Sequence, residues 1–187
     1  MKIFVCFFLL FFFAQGSCHK NNSSKEAIQI EGFVLTDNLG NQMGIIGSAG
    51  NDWKIQDWSQ FSSLEKSFFN FPDNVDLSNT TVSVLNDPVA YPNPFSSSSA
   101  INFHSTDSVK VKLAVVNSSG QVLKTFAIKI KGNKSIALDF SDNNLYPGGM
   151  SLRYYYSYSA ASQQNFKAGY GDVKICKPLV SPVTACF

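Results

Sequence analysis

Residues 109–116, VKVKLAVV, set Val109, Val111, Leu113 and Val115 in one phase, with Lys110 and Lys112 in the other. Successive side chains of a strand point to opposite faces, so this stretch commits to a strand with one buried and one wet face. It sits in a series. Upstream, TTVSVL (80–85) alternates, and AINFHS (100–105) puts Ile101 and Phe103 in phase. Downstream, NSSG (117–120) is a turn signal, and Val122, Phe126, Ile128 and Ile130 are then in phase. KGNK (131–134) reads as a second turn before Ile136, Leu138 and Phe140, and YPGG (146–149) as a third before the aromatic run SLRYYYSYSA. GYGDVKIC (169–176) closes the set. Short alternating runs separated by turns at this spacing predict an all-β, antiparallel sandwich or barrel over residues 79–176.

Residues 28–78 read as a small β-hairpin region preceding that sandwich. Ile28, Ile30 and Val34 alternate, Asp37-Asn38-Leu39-Gly40-Asn41 is a turn signal, and Met43, Ile45 and Ile46 follow it. SQFSSLEKSFFNF predicts a short helix, capped by Ser62 or Ser63, with Leu64 and Phe68 at helical spacing. Residues 177–187 read as a C-terminal tail.

The first residues carry an address. A basic start, Met1-Lys2, leads into an apolar run from Ile3 to Ala14 that is shorter than the ~20 residues of a membrane-spanning helix. Small residues Gly16 and Ser17 follow, so residues 1–17 are read as a signal peptide. Residues 18–27 are polar and aperiodic and read as a flexible tether. Four cysteines are present. Cys6 lies in the apolar run and leaves with it. Cys176 and Cys186 are candidates for a disulfide in an oxidising, exported setting, the alternative being two free thiols.

Several function classes are disfavoured. Charged residues make up 15% of the chain and the net charge is +2, which gives no electrostatic case for nucleic acid. The two histidines fall in the tether and on the polar phase of a strand, too few for a histidine-based metal site. The serine-rich FSSSSA has no nearby base. Asp52 with Asp57, and Asp139 with Asp142, are carboxylate pairs whose spacing in space decides between acid–base work and turn formation. Asp37, Asn38 and Asn41 hold calcium-compatible oxygens without the EF-hand pattern. No catalytic residue, metal or cofactor is expected. The aromatics Trp53, Trp58 and Tyr155 are the candidate binding residues, as platforms for sugar rings or anchors for a protein interface.

Two resemblances add to this reading. Tyr91-Pro92-Asn93-Pro94-Phe95, the Ile101-x-Phe103 strand, the valine–leucine strand and the Asn117-Ser118-Ser119-Gly120 turn resemble the immunoglobulin-like type IX secretion sorting domain of Bacteroidetes exported proteins. That family has aspartate where this turn has Asn117. Leu145, Gly148 and Tyr154 to Tyr156 follow its second half loosely. The resemblance implies an immunoglobulin-like sandwich in which the Pro-Asn-Pro motif is structural. Pro92 and Pro94 remove two backbone donors, which confines the segment to an edge or a bend, and Phe95 is expected to plug the core. Gly16-Ser17-Cys18 resembles the end of a bacterial lipobox, which implies lipidation of Cys18 and anchoring to the membrane. Asp107-Ser108-Val109 matches a short O-glycosylation pattern of Bacteroidetes.

The leading expectation is a lipid-anchored envelope protein on the periplasmic or surface face of the outer membrane, with a non-catalytic structural or interaction role. Its partners would be the membrane and other envelope proteins or glycans, not nucleic acid. The alternatives are type IX cargo carrying a sorting domain and secreted outright, or a small carbohydrate-binding or carbohydrate-processing protein.

Overall fold

A computed structural model describes residues 28–75, 86–159, 167–178 and 186–187. The signal peptide, the tether, Cys18 and the TTVSVL strand lie outside the described residues.

The fold is mostly antiparallel β. Strands β1 (Gly32–Thr36) and β2 (Gln42–Gly47) form a hairpin. After β3 (Lys54–Gln56) come a 3₁₀ turn (Trp58–Gln60) and helix α1 (Ser63–Ser67). The remaining strands are β4 (Val89–Tyr91), β5 (Ser98–Asn117), β6 (Val122–Asp139), β7 (Ser151–Ser159) and β8 (Lys167–Lys174). The main sheet runs β3-β8-β7-β5-β4, with β6 paired to β5.

The sequence predicted four short strands where the structure has one long hairpin. AINFHS and VKVKLAVV are both part of β5, and KGNK is no turn, because β6 runs straight through it. Residues 98–105 pair with 132–139 and residues 109–116 with 122–130, and the register shifts between Ser105 and Val109. Gly132 takes φ +69 at this point, a left-handed conformation that glycine adopts without a Cβ penalty. The breaker residues here mark a bulge that bends a paired hairpin. One edge of β5 belongs to β6; the other is shared by β4, at residues 100–102, and β7, at residues 110–117.

The bend closes the fold. Phe103 and Leu113 would lie ~33 Å apart along a flat strand. Yet the Phe103 ring is 6.2 Å from that of Tyr156, which is paired with Leu113. The two halves of the hairpin therefore face each other across one core. Ile101, Phe103, Val111, Leu113, Val115, Leu138, Tyr154 and Tyr156 all belong to that core. Phe95 plugs it, 1% exposed, with its ring 5.1 Å from Phe140.

Residues 28–75 pack against this body. Strand β3 adds to the edge of β8. Thr36 and Asn93 exchange backbone hydrogen bonds of 2.9 and 3.1 Å, which tie β1 to the Pro-Asn-Pro segment. The outer face of β5 and β7 carries a second cluster, Ala114, Val116 and Tyr155 under Ile28, Phe61, Phe68 and Phe69. The central strands are thus covered on both faces, where alternation predicted a wet face. Ser62 caps α1 by accepting from the Glu65 N–H, and Glu65 Oε2 accepts the Ser62 N–H at 2.8 Å, a capping box. Glu65 Oε1 also accepts the Tyr155 hydroxyl at 2.9 Å, which fastens the helix to the sheet. Lys112 Nζ donates to the carbonyls of Phe69 and Phe71 and pairs with Asp73 at 3.0 Å, holding the chain beyond α1. In the β1–β2 hairpin the buried apolar side chains are Phe33 and Leu35, while Met43 and Ile45 are exposed.

The sulfurs of Cys176 and Cys186 lie 2.09 Å apart as a disulfide, and the Phe187 ring lies 4.8 Å from that of Phe33, tilted by 50°.

Candidate functional site

Among the described residues, polar side chains line a half-open cleft of about 410 Å³. Its floor comes from register. Arg153 of β7 lies directly opposite Asp172 of β8, and Tyr155 opposite Tyr170, so the outer face of this strand pair carries a guanidinium, a carboxylate and two phenols. Arg153 Nε and Nη2 reach the two oxygens of Asp172 at 2.7 Å each, and Nη2 also donates to the Gln29 carbonyl at 2.8 Å. The guanidinium stacks 4.0 Å from the centre of the Tyr170 ring. Bidentate pairing and ring stacking are both arginine geometries that lysine does not reproduce.

The wall is the loop that leads into β3. Gly50, Asn51 and Asp52 line it, with Ser48 and Glu31 at the rim. Asp52 is 7% exposed, and its Oδ2 accepts the Asp172 N–H at 3.4 Å. Among the described residues this is the one hydrogen bond its carboxylate makes. Burial, and next the Asp172 charge, push the Asp52 carboxyl up to about 8. Burial raises Asp172 as well, while Arg153 opposes that rise. With both oxygens held by the guanidinium, Asp172 is the member of the pair that stays ionised.

The loop owes its position to two glycines. The other face of β8 at Gly171 is covered by the Trp53 indole, and at Gly169 by the Tyr156 phenol. A Cβ at either position would fall 2.2 to 2.3 Å from those rings, so only glycine fits. Trp53 itself has φ +62, an uncommon conformation for a bulky residue, held by its N–H to the Tyr170 carbonyl at 2.8 Å and by the ring's seat in the core. Asp52, one residue earlier, is thereby fixed over Asp172.

The candidate binding aromatics fare differently from expectation. Tyr155 is fully buried beneath Phe61, Phe68 and Phe69, and Trp53 is 6% exposed, so neither offers a ring face to a ligand. Covering by residues 28–75 is the cause, and alternation within one strand does not reveal it. Trp58 is half-buried, with its ring against Phe61 and Phe69 and the Lys66 ammonium 5.7 Å above it.

The carboxylate pairs also resolve. Asp52 meets Asp172, not Asp57, whose side chain caps the 3₁₀ turn through the Ser59 N–H. Asp139 and Asp142 each accept a local backbone N–H, from Ser141 and Asn144, and act as turn formers. Asp37 likewise receives the N–H groups of Leu39 and Asn41 and the Asn41 side chain. His104 Nδ1 lies 2.6 Å from the Asn133 side-chain oxygen across the β5–β6 hairpin. Among the described residues, no cluster of three metal-ligating side chains occurs.

Sequence reasoning missed Arg153, Asp172 and Tyr170. One signal was available: Arg153 is the sole arginine of the chain, and it is embedded in a strand of leucine and tyrosine. A lone arginine on a strand predicted to be half core asks for a partner carboxylate, and register supplies it.

Residues 89–165 match the family model of the secretion system C-terminal sorting domain. The match starts at β4 and takes in the β5–β6 hairpin and β7. No curated protein and no solved structure matches the chain.

Proposed function

We propose that this is an exported protein whose β-sandwich serves as a sorting module for type IX secretion, with a non-catalytic role at the cell surface or outside the cell. The observation that carries this reading is the sorting-domain match over residues 89–165. The fold supports it through the Pro-Asn-Pro motif. Asn93 donates to the carbonyls of Val34 and Asp172 and accepts the Lys174 N–H, so the motif ties three segments together. The test is export of a periplasmic reporter fused ahead of residues 28–187 in a host with a type IX system. Surface or medium localisation that is lost without the host's secretion machinery supports the proposal; periplasmic retention of the folded fusion overturns it.

A second reading concerns the anchor. Gly16-Ser17-Cys18 favours lipidation of Cys18, which would hold the exported protein on the membrane. Palmitate labelling that disappears in Cys18→Ser supports it, and labelling unchanged by that substitution sinks it.

A further inference from the structure

Register builds a second recess, shared by β4, β5 and β6. Ala90, Ile101 and Phe103 are core residues, so their neighbours along the strands turn away from the core. On β4 these are Val89 and Tyr91, and on β5 they are Asn102 and His104. Val89 is paired with Asn102, while Asn102 and His104 are paired with Ser135 and Asn133 of β6. The Tyr91 hydroxyl lies 3.5 Å from that of Ser135, so the phenol reaches across β5. Gly40, in the β1–β2 turn, packs on that phenol, and a Cβ there would lie 3.4 Å from the ring. Leu39, Asn86, Tyr91, Asn102, His104 and Asn133 line the resulting half-open groove of about 220 Å³.

The polar groups of this groove are open. His104 Nδ1 faces Asn133 Oδ1 at 2.6 Å, and its Nε2 has no hydrogen-bond partner among the described residues. The side-chain amides of Asn86 and Asn102 have none either, and both residues are exposed. Asp87 is the single carboxylate among the lining residues, with its Oδ1 accepting the Ile55 N–H at 3.2 Å. No lysine or arginine lines the groove among the described residues.

This donor set selects the ligand. An anion would find no cation here, and a divalent ion wants several carboxylate oxygens. A purely apolar ligand would leave the amides and the imidazole without partners. A sugar hydroxyl both donates and accepts, as an asparagine amide does, and an imidazole nitrogen can do either. The C–H face of a sugar ring suits the Tyr91 ring and the Leu39 side chain, which is 83% exposed. The volume is below that of a drug-sized site and suits a single ring. We propose that this groove binds a neutral pyranose, with Asn102 and His104 bonding its hydroxyls and Tyr91 as the apolar platform. Trp53 and Tyr155, expected as platforms, are buried, so the role passes to a tyrosine of the Pro-Asn-Pro corner. Binding here does not rest on the sorting role of residues 89–165.

The experiment is NMR titration of the isotopically labelled full chain with methyl α-D-glucopyranoside, methyl α-D-mannopyranoside and methyl β-D-galactopyranoside. Glycerol, which has no ring face, and glucuronate, which Asp87 repels, are the controls. At least one glycoside should saturate with a dissociation constant on the order of 1–10 mM, more tightly than either control. The shifted amides should be those of residues 39–40, 86–91, 102–104 and 133. Asn102→Ala and His104→Ala each remove a hydrogen-bonding partner and should weaken binding about fivefold. Asn102 is exposed, so its variant keeps the fold, which unchanged amide signals away from the groove check. Weakening by either variant supports the proposal. Absence of saturable shifts with every glycoside at tens of millimolar overturns it. So do shifts that map elsewhere, a control that binds as tightly as the glycosides, or an affinity that both variants leave unchanged.

Discussion

The indole of Trp53 lies on Gly171 so closely that a Cβ added there would sit 2.2 Å from the ring. Trp53 is also the residue with φ +62, and its neighbour Asp52 forms the cleft wall. One glycine therefore seats a core aromatic and, through the backbone, positions a buried carboxylate. Gly171→Ala must displace the indole or bend β8. The expected cost is about 2–3 kcal/mol, measured as a loss of urea midpoint with the slope unchanged. A variant of unchanged stability would mean that the Trp53 loop can move away freely.

Asn93 is 1% exposed and hydrogen-bonds three backbone groups, the carbonyls of Val34 and Asp172 and the N–H of Lys174. Asn93→Ala removes all three bonds and should cost about 3 kcal/mol. Asn93→Asp keeps the Lys174 bond but aims a carboxylate at two carbonyls, so it should be at least as harmful. Chemical denaturation of both variants checks this, and an aspartate variant close to wild type would refute the assigned amide orientation.

The raised carboxyl of Asp52 gives stability a definite pH dependence. Its folded value is about 8 against an ordinary 3.8, so folding favours the protonated form. The contribution is complete below the ordinary value, is lost as pH rises toward 8, and changes no further above that. Asp37, Asp57 and Asp139 act in the opposite sense. Hydrogen bonds to Asn41 and Ser59 for the first two, and to Ser141 for the third, hold their carboxyls low, so their contribution is lost in acid. Unfolding midpoints should therefore decline from about pH 5 to about pH 8, and Asp52→Asn should flatten that decline. An equal slope in the variant would place the titration on another group.

Much of the fold could be read along the chain. The phase of Val109, Val111, Leu113 and Val115 named the buried face of β5, and all four are in the core. Asn117 to Gly120 turned the β5–β6 hairpin, with the Asn117 side chain accepting the N–H groups of Ser119 and Gln121. Ser62, one of the two cap candidates, caps α1. What failed was the reading of breakers. Gly132 and Thr106 to Ser108 looked like strand ends, because a bulge and a turn use the same residue types.

The candidate site was legible only in fragments. Asp52 was noted, but its partner lies 120 residues away in the chain. Separation along the chain also hid the fate of Tyr155, since a strand's own pattern says which side chains share a face and not what covers that face.

The sequence by itself determined the antiparallel all-β class, the inward phase of the long strands and the Pro-Asn-Pro corner, because these follow from local periodicity and backbone restriction. The tertiary structure alone decided that residues 28–75 close over the sheet, that β5 and β6 bend into one core, and that Arg153, Asp172 and Asp52 meet in a cleft. Those outcomes depend on register and on contacts between distant segments, which no short window of residues encodes.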